Sequence, residues 1–287
     1  MGSMNEKEQG EIPLEIPIIT RESPSSGNEN VLPALQMTIA LRNSLYHQRE
    51  VRFCQQCSVT FYEQNTTFTC SYASVQMVVS ALLSSSRIYR QELFQGIAFV
   101  PDIRSIQVLM ERAWKEGFDV EGSHHFGGKL VGKREKIGCS DIAALFRSTK
   151  IPTRIYDVDY GVNSWRCVEL FCEHHFFTEN NRFPVFPLIL GYAEHTMIVV
   201  GCEREDPGTG ILLLVFDPGS SVRRAMENAK SNVKAFYANV NLLKTRTQFQ
   251  ILKFGPSSDH DSLLTHEASD ETVAGKKLRA IHPPRVV

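Results

Sequence analysis

Two short apolar runs, residues 197–201 and 212–216, flank the turn-prone segment Glu205-Asp206-Pro207-Gly208-Thr209-Gly210, and this arrangement leaves the chain few folds to choose from. Continuous apolar runs of this length bounded by turn residues read as buried strands. A connection this short makes them antiparallel neighbours, so part of the core is an antiparallel sheet. The pairing has a chemical consequence. His195 stands just before the first run, in Glu194-His195-Thr196, and Asp217 ends the second, in Phe216-Asp217-Pro218-Gly219. Antiparallel pairing brings these two residues to the same edge of the sheet.

Far upstream, Thr67-Phe68-Thr69-Cys70-Ser71-Tyr72 is a polar turn that delivers a cysteine to the first turn of an apolar helix, with Val75, Val78, Val79, Leu82 and Leu83 at helical spacing. A thiolate attacks where a thiol hardly does. The positive end of a helix dipole and a nearby imidazolium are what lower a thiol pKa. Cys70 is accordingly the candidate nucleophile, although a small buried cysteine is also an ordinary core residue. His195 is the candidate base and Asp217 its orienting partner. The alternatives are a hydrogen-bonded structural histidine and a turn aspartate before Pro218-Gly219. The chain order Cys, His, Asp is that of papain-like enzymes, in which a helix carries the nucleophile and a following sheet carries the base. The predicted fold class is therefore α+β, a papain-like cysteine protease fold with the catalytic helix packed on an antiparallel sheet.

Cys70-Ser71-Tyr72 with Gln76-Met77, the segment Ala113-Trp114-Lys115-Glu116-Gly117-Phe118-Asp119, His195 ahead of Val199-Val200-Gly201, and Leu214-Val215-Phe216-Asp217-Pro218-Gly219 together resemble the peptidase domain of the ZUFSP deubiquitinases. That group is related to the proteases of the ubiquitin-fold modifier. The resemblance runs from about residue 53 to about residue 254. It implies hydrolysis of the bond after the C-terminal glycine of ubiquitin, in ubiquitin or polyubiquitin, with no metal and no organic cofactor. The chain departs from the family pattern in two places: Thr67-Phe68-Thr69 stands where Gly-Trp-Gly is usual, and Ala73 where a basic residue is usual. Ubiquitin-fold-modifier proteases carry Asp-Pro-His at the strand end, whereas position 219 here is Gly219, so the base must come from His195. A catalytically silent ubiquitin-binding module and an acyltransferase using the same triad are the remaining alternatives. The helix predicted over 31–48 is read as core packing, with a ubiquitin contact as its functional alternative by the same resemblance.

Gln64 precedes Cys70 by the spacing at which papain-like enzymes place the amide that steadies the tetrahedral oxyanion, and it is the candidate for that role. Backbone N–H groups around Cys70 would supply the second donor. Cys54-Gln55-Gln56-Cys57 and the Cys- and His-rich stretch Cys167-Val168-Glu169-Leu170-Phe171-Cys172-Glu173-His174-His175 have the density of zinc sites. The two lie too far apart in sequence to make an obvious four-ligand set, so both are read as packed side chains.

With 287 residues and 42% hydrophobic content the chain can bury a full core, and its formal net charge of −1 gives no bulk attraction to nucleic acid. No apolar run approaches a membrane span. Seven cysteines at irregular spacing suit a reducing compartment, cytoplasm or nucleus. Monomer is the assumed state. Residues 1–3 are set aside as a cloning remnant, 1–30 as a mobile leader containing the apolar piece 12–19, 31–255 as the peptidase domain, and 256–287 as a polar mobile tail. Within the domain, further helices are predicted over 101–116, opened by Pro101, over 140–149 with Ser140 as N-cap, and over 221–244. Strands are predicted over 153–159, 184–190 and 248–254, and a loop rich in glycine, histidine and lysine over 121–136.

Overall fold

The computed structural model describes residues 19–23, 26–45, 49–85, 87–159, 161–178, 183–204, 210–255 and 279–280. In chain order the elements are β1 (Gly27–Asn28), α1 (Val31–Leu45), β2 (Val51–Phe53), β3 (Phe61–Tyr62), α2 (Cys70–Ser85), α3 (Arg87–Glu92), α4 (Ile103–Lys115), α5 (Val120–His125), α6 (Cys139–Ser148), β4 (Thr153–Asp159), α7 (Ser164–Thr178), β5 (Leu188–Tyr192), β6 (His195–Arg204), β7 (Ile211–Phe216), α8 (Val222–Ser231), α9 (Val240–Leu243), β8 (Gln248–Phe254) and β9 (Arg279–Ala280). The expected turn 205–209, Tyr46, residues 12–18 of the apolar piece and most of the predicted tail lie outside the described residues.

The sheet is antiparallel throughout. β6 is its spine, with β7 on one side and β5 and β2 in succession on the other; β8, β4 and β9 follow beyond β5. Alternation of side chains across the pleat then sorts the helices. α7 covers one face, with Phe171 against Tyr156 and Trp165 against Phe249. α2 and α6 cover the other, α2 along β6 and α6 along β4 and β8. Close approach demands glycine twice. A Cβ on Gly201 would lie 2.5 Å from the Arg52 carbonyl of β2, and one on Gly191 would lie 2.9 Å from Cys139 Sγ of α6.

α2 is the central helix and is buried all round, from Cys70 to Leu82, not along one stripe. Its polar residues have partners that explain their burial. Ser80 Oγ accepts from Thr60 N and Ser84 Oγ from Ser58 N, so the approach to β3 is stitched along the helix. Gln76 donates to the Pro101 carbonyl and to Glu22. α1 packs on α8, and Arg42, which interrupts its apolar pattern, reaches Glu203 of β6 at 2.8 Å. The Glu203 side chain is fully buried and also meets Arg49 at 3.2 Å and the Tyr237 hydroxyl at 2.6 Å. Leu45, expected on the packed face of α1, is instead exposed, in one row with Met37 and Leu41.

Several expectations are corrected. Asp102, not Pro101, opens α4: its side chain caps Ser105 N at 2.7 Å, and Pro101 lies one residue outside. The predicted stripe Ile106, Leu109, Met110, Ala113 and Trp114 is buried, and Gly117 at φ +91° closes the helix with Phe118 N bonded to the Ala113 carbonyl. Over 121–136 the chain is not all loop. Residues 120–125 form α5, capped by Asp119, and the remainder is pinned by α4: Gln107 holds Gly132 N and the Lys133 carbonyl, and Glu111 takes Leu130 N and Val131 N. Ser140 is inside α6; the cap is Gly138, whose N–H donates to Asp141. The strand expected over 184–190 is β5, shifted toward Tyr192. The long helix expected over 221–244 is three pieces, α8, a 3-10 turn over Val233–Phe236, and α9, because Asn232 leaves helical geometry at φ −139°. Residues 279–280, in the region expected to be a mobile tail, pair with β4. Among the described residues no helix is long and apolar enough to cross a membrane.

Candidate active site

The turn before α2 is fixed by one threonine. Thr69 Oγ1 accepts from Thr66 N and donates to the Thr66 carbonyl, while its own carbonyl accepts from Ala73 N, the first bond of the helix. Cys70 is therefore the first helical residue, 2% exposed, with its backbone N–H among those that have no carbonyl one turn back. Ser71 Oγ lies 2.9 Å from Thr196 Oγ1, and this contact locks the helix terminus to β6 beside His195.

The hairpin between β5 and β6 turns in two residues, with Ala193 left-handed at φ +47°, and pairs Tyr192 directly with His195. β7 runs back along β6 and ends at Phe216, which leaves Asp217 just past the strand. His195 Nε2 lies 2.9 Å from Asp217 Oδ1, and the same oxygen accepts from Gly219 N at 2.8 Å. With Nε2 engaged, Nδ1 is the ring nitrogen left for the Cys70 thiol, and His195 and Cys70 are hydrogen-bonded to each other. Tyr192 meets the imidazole edge-on at 5.7 Å.

The electrostatics follow from these contacts. Burial opposes ionisation of Cys70, but the hydrogen bond and charge of His195 outweigh it and bring the thiol below its ordinary value. Burial also opposes protonation of His195; the bonds to Asp217 and then to Cys70 prevail and raise it to about 9. Asp217, penalised by burial, is held below the usual carboxylate range by His195 and by Gly219 N–H. The arrangement keeps His195 protonated at neutral pH and eases ionisation of the Cys70 thiol beside it. Such a pair can attack a carbonyl and return a proton to a departing amine.

Gln64 is drawn to the same place from the other side: its N–H donates to the Pro218 carbonyl at 2.8 Å. Its side-chain Oε1 is buried with no hydrogen-bond partner among the described residues. Glu194 does not face the imidazole; it is exposed and pairs with Lys136 at 2.6 Å. Phe68, one of the departures from the family pattern, packs edge-on against Tyr72, and Ala73 is 1% exposed in the core, where a basic side chain has no room. A cavity of about 700 Å³ opens on the β5 side of His195, lined by Ser71, Cys139, Asp157, Gly191 and Tyr192 among others. A second of about 490 Å³ lies under Phe68, His125 and Arg134, and Lys136 borders both.

The other cysteines are packed thiols. Cys54 is hydrogen-bonded to Cys57, and that bond with burial raises it well above the ordinary value; burial pushes Cys172 the same way. No group of three or more His, Cys, Asp or Glu residues able to hold a metal occurs among the described residues. Sequence reasoning missed Tyr192, because the predicted strand stopped at Leu190. It also missed Ser71, Thr196 and Glu63, whose residue types carry no signal apart from their contacts.

Comparison with known proteins agrees with this architecture. Residues 49–252 match the model of peptidase family C78. The mouse protein named zinc finger-containing ubiquitin peptidase 1 is 31% identical over 222 residues, 72% of this chain and 38% of the relative. The fission-yeast ubiquitin carboxyl-terminal hydrolase mug105 is 26% identical over 190 residues, 64% of this chain and 74% of the relative. The chain thus spans about 38% of the length of the zinc-finger relatives. Among solved structures, the crystal structure of UfSP from C. elegans superposes with a TM-score of 0.50 at 16% identity, over 77% of this chain and 37% of that one, a likeness of fold. With the papain-like fold and the family match both in hand, this chain belongs to peptidase family C78 and is a cysteine-type peptidase.

Proposed function

We propose that Cys70, His195 and Asp217 form a catalytic triad that hydrolyses the peptide or isopeptide bond after the C-terminal glycine of ubiquitin, including bonds within polyubiquitin. The observation that carries the reading is the histidine held between two partners, Asp217 on Nε2 at 2.9 Å and the Cys70 thiol on its other side. The Cys70 thiolate attacks the glycine carbonyl. His195 passes its proton to the departing amine, and a water then releases the thioester with His195 as base. Asp217 keeps the ring oriented and stabilises its charged form. The oxyanion falls to the Cys70 N–H and the Gln64 amide; Gln64 lies beside the Asp217 turn, its Oε1 is buried with no hydrogen-bond partner among the described residues, and turning the amide over would set its N–H₂ in that place. No step requires a cofactor.

The substrate class is supported by the names of the relatives above, both ubiquitin hydrolases. A protease of the ubiquitin-fold modifier shares the fold, but Gly219 leaves that strand end without a histidine, so His195 is the base in either case. A thiolate enzyme with seven free cysteines suits the cytoplasm or nucleus. The test is reaction with ubiquitin bearing a C-terminal electrophile, beside the same probe built on the ubiquitin-fold modifier, with Cys70→Ala as control. A ubiquitin adduct that disappears in Cys70→Ala is the expected result. No adduct with either probe would instead mark a silent binding module.

A further inference from the structure

Residues 61–64 touch residues 216–222 at three successive points. Phe61 of β3 meets Phe216 edge-on with ring centroids 5.3 Å apart, Val222 N–H donates to Glu63 Oε2, and Gln64 N–H donates to the Pro218 carbonyl at 2.8 Å. The first contact lies one residue before Asp217 and the other two lie just after it. Between them Asp217 is folded on itself, its Oδ1 taking Gly219 N–H and its carbonyl taking Ser220 N–H at 3.0 Å. The strand that leads to Gln64 and the turn that carries Asp217 are therefore one unit, although 153 positions separate Gln64 from Asp217 in the sequence.

Glu63 is the charged member of this unit. Its carboxylate sits on the N–H of the first residue of α8, one of the donors that a helix N-terminus leaves without an internal acceptor. The other end of the same cap is Ser221, whose Oγ accepts from Arg224 N at 3.3 Å. Ser221 closes the helix on itself, whereas Glu63 reaches across from the approach to Cys70. We propose that Glu63 is a positioning residue for the reaction: it clamps the Gln64 strand to the Asp217 turn, so that oxyanion donor and histidine orienter move together or not at all. The proposal rests on the triad reading above.

The clamp acts on geometry. Misplacement of reacting groups by about 1 Å costs on the order of 10²-fold in rate. Glu63→Ala is expected to lose roughly 10- to 100-fold in kcat on ubiquitin carrying a C-terminal fluorogenic amide, with KM within about twofold. Because Asp217 is loosened from His195, the pH midpoint for alkylation of Cys70 by iodoacetamide should rise in the same variant. Glu63→Gln, whose amide oxygen still accepts Val222 N–H, should recover most of the rate. Ser221→Ala weakens the same helix terminus without touching the clamp and should keep wild-type kcat. Wild-type kcat and an unshifted alkylation midpoint in Glu63→Ala would overturn the proposal, as would an equal kcat loss in Ser221→Ala. If Glu63→Ala does not fold, Glu63→Asp decides: it keeps the charge but falls short by one methylene, and wild-type kcat there would equally overturn it. Cleavage persisting in Cys70→Ala sinks the triad itself; a dead Cys70→Ala beside a fully active Glu63→Ala sinks only the clamp. The alkylation profile reads the clamp even if ubiquitin is not the substrate.

Discussion

Two helices in this molecule open on a buried cysteine, α2 on Cys70 and α6 on Cys139, 2% and 4% exposed. Both thiols sit at the positive end of a helix dipole, and both lie beside the rim of the same sheet. Their acidities part nonetheless. Cys70 is lowered, whereas burial, then Asp157 and Asp141, push Cys139 up to about 12. The dipole is common to the two, so it cannot be what separates them. Burial opposes both thiolates and is the larger cause at Cys139; an imidazole outweighs it at Cys70, whereas carboxylates add to it at Cys139.

Removing that neighbour should erase the contrast. His195→Ala is expected to lower turnover by about 10³-fold or more and to leave Cys70 nearly as slow toward iodoacetamide at neutral pH as Cys139. Persistent fast alkylation would mean that the helix terminus alone activates the thiol. Asp217→Asn should lose less than His195→Ala, since the imidazole remains but loses its orienter and the partner that raises its pKa.

The pH profile follows from the same pair. In the proposed triad His195 must be protonated to act as acid, so cleavage should fall as pH rises through about 9, and in Asp217→Asn that limb should move to lower pH. Stability carries the same sign. The folded state raises the histidine above its unfolded value of about 6.5, so the pair's contribution is complete below that pH and is lost as pH climbs through about 9. Thermal melting followed from pH 6 to pH 10 in wild type and His195→Gln reads the difference.

On the Cys139 side the effects are structural. Gly191→Ala puts a methyl 2.9 Å from Cys139 Sγ, and overpacking of this kind costs about 1–3 kcal/mol, visible as a lower Tm. Smallest of all, Asp157→Asn should bring the Cys139 pKa down only slightly, because burial, the larger cause, stays; alkylation above pH 10 measures it.

What the sequence made legible is what backbone pairing and periodicity determine. Strands over 153–159 and 248–254 match β4 and β8 to the residue, and the meeting of His195 with Asp217 follows from a hairpin readable in its turn residues. What stayed illegible is held by side chains across long sequence gaps. Nothing local in residues 126–136 announces that Gln107 and Glu111 will pin them. Arg42 breaks the apolar pattern of α1 because its partner, Glu203, lies 161 positions away. Glu63 is one loop glutamate among many until Val222 is beside it. The break at Asn232 is a fourth case, since the charge pattern continues through it while the Phe236 ring turns inward against Phe216.

The buried carboxylate of Glu203 gives the molecule a mechanical property. β6 begins with His195 and, eight residues later, is bolted at Glu203 by Arg42 to the long helix α1. The buried carboxylate is held by Arg49 and the Tyr237 hydroxyl as well, so the bolt has three fastenings. A force applied to the outward row Met37, Leu41 and Leu45 travels through α1 into the strand that ends at the imidazole. In this protein α1 is not an arm swinging beside the sheet but a handle fixed to it.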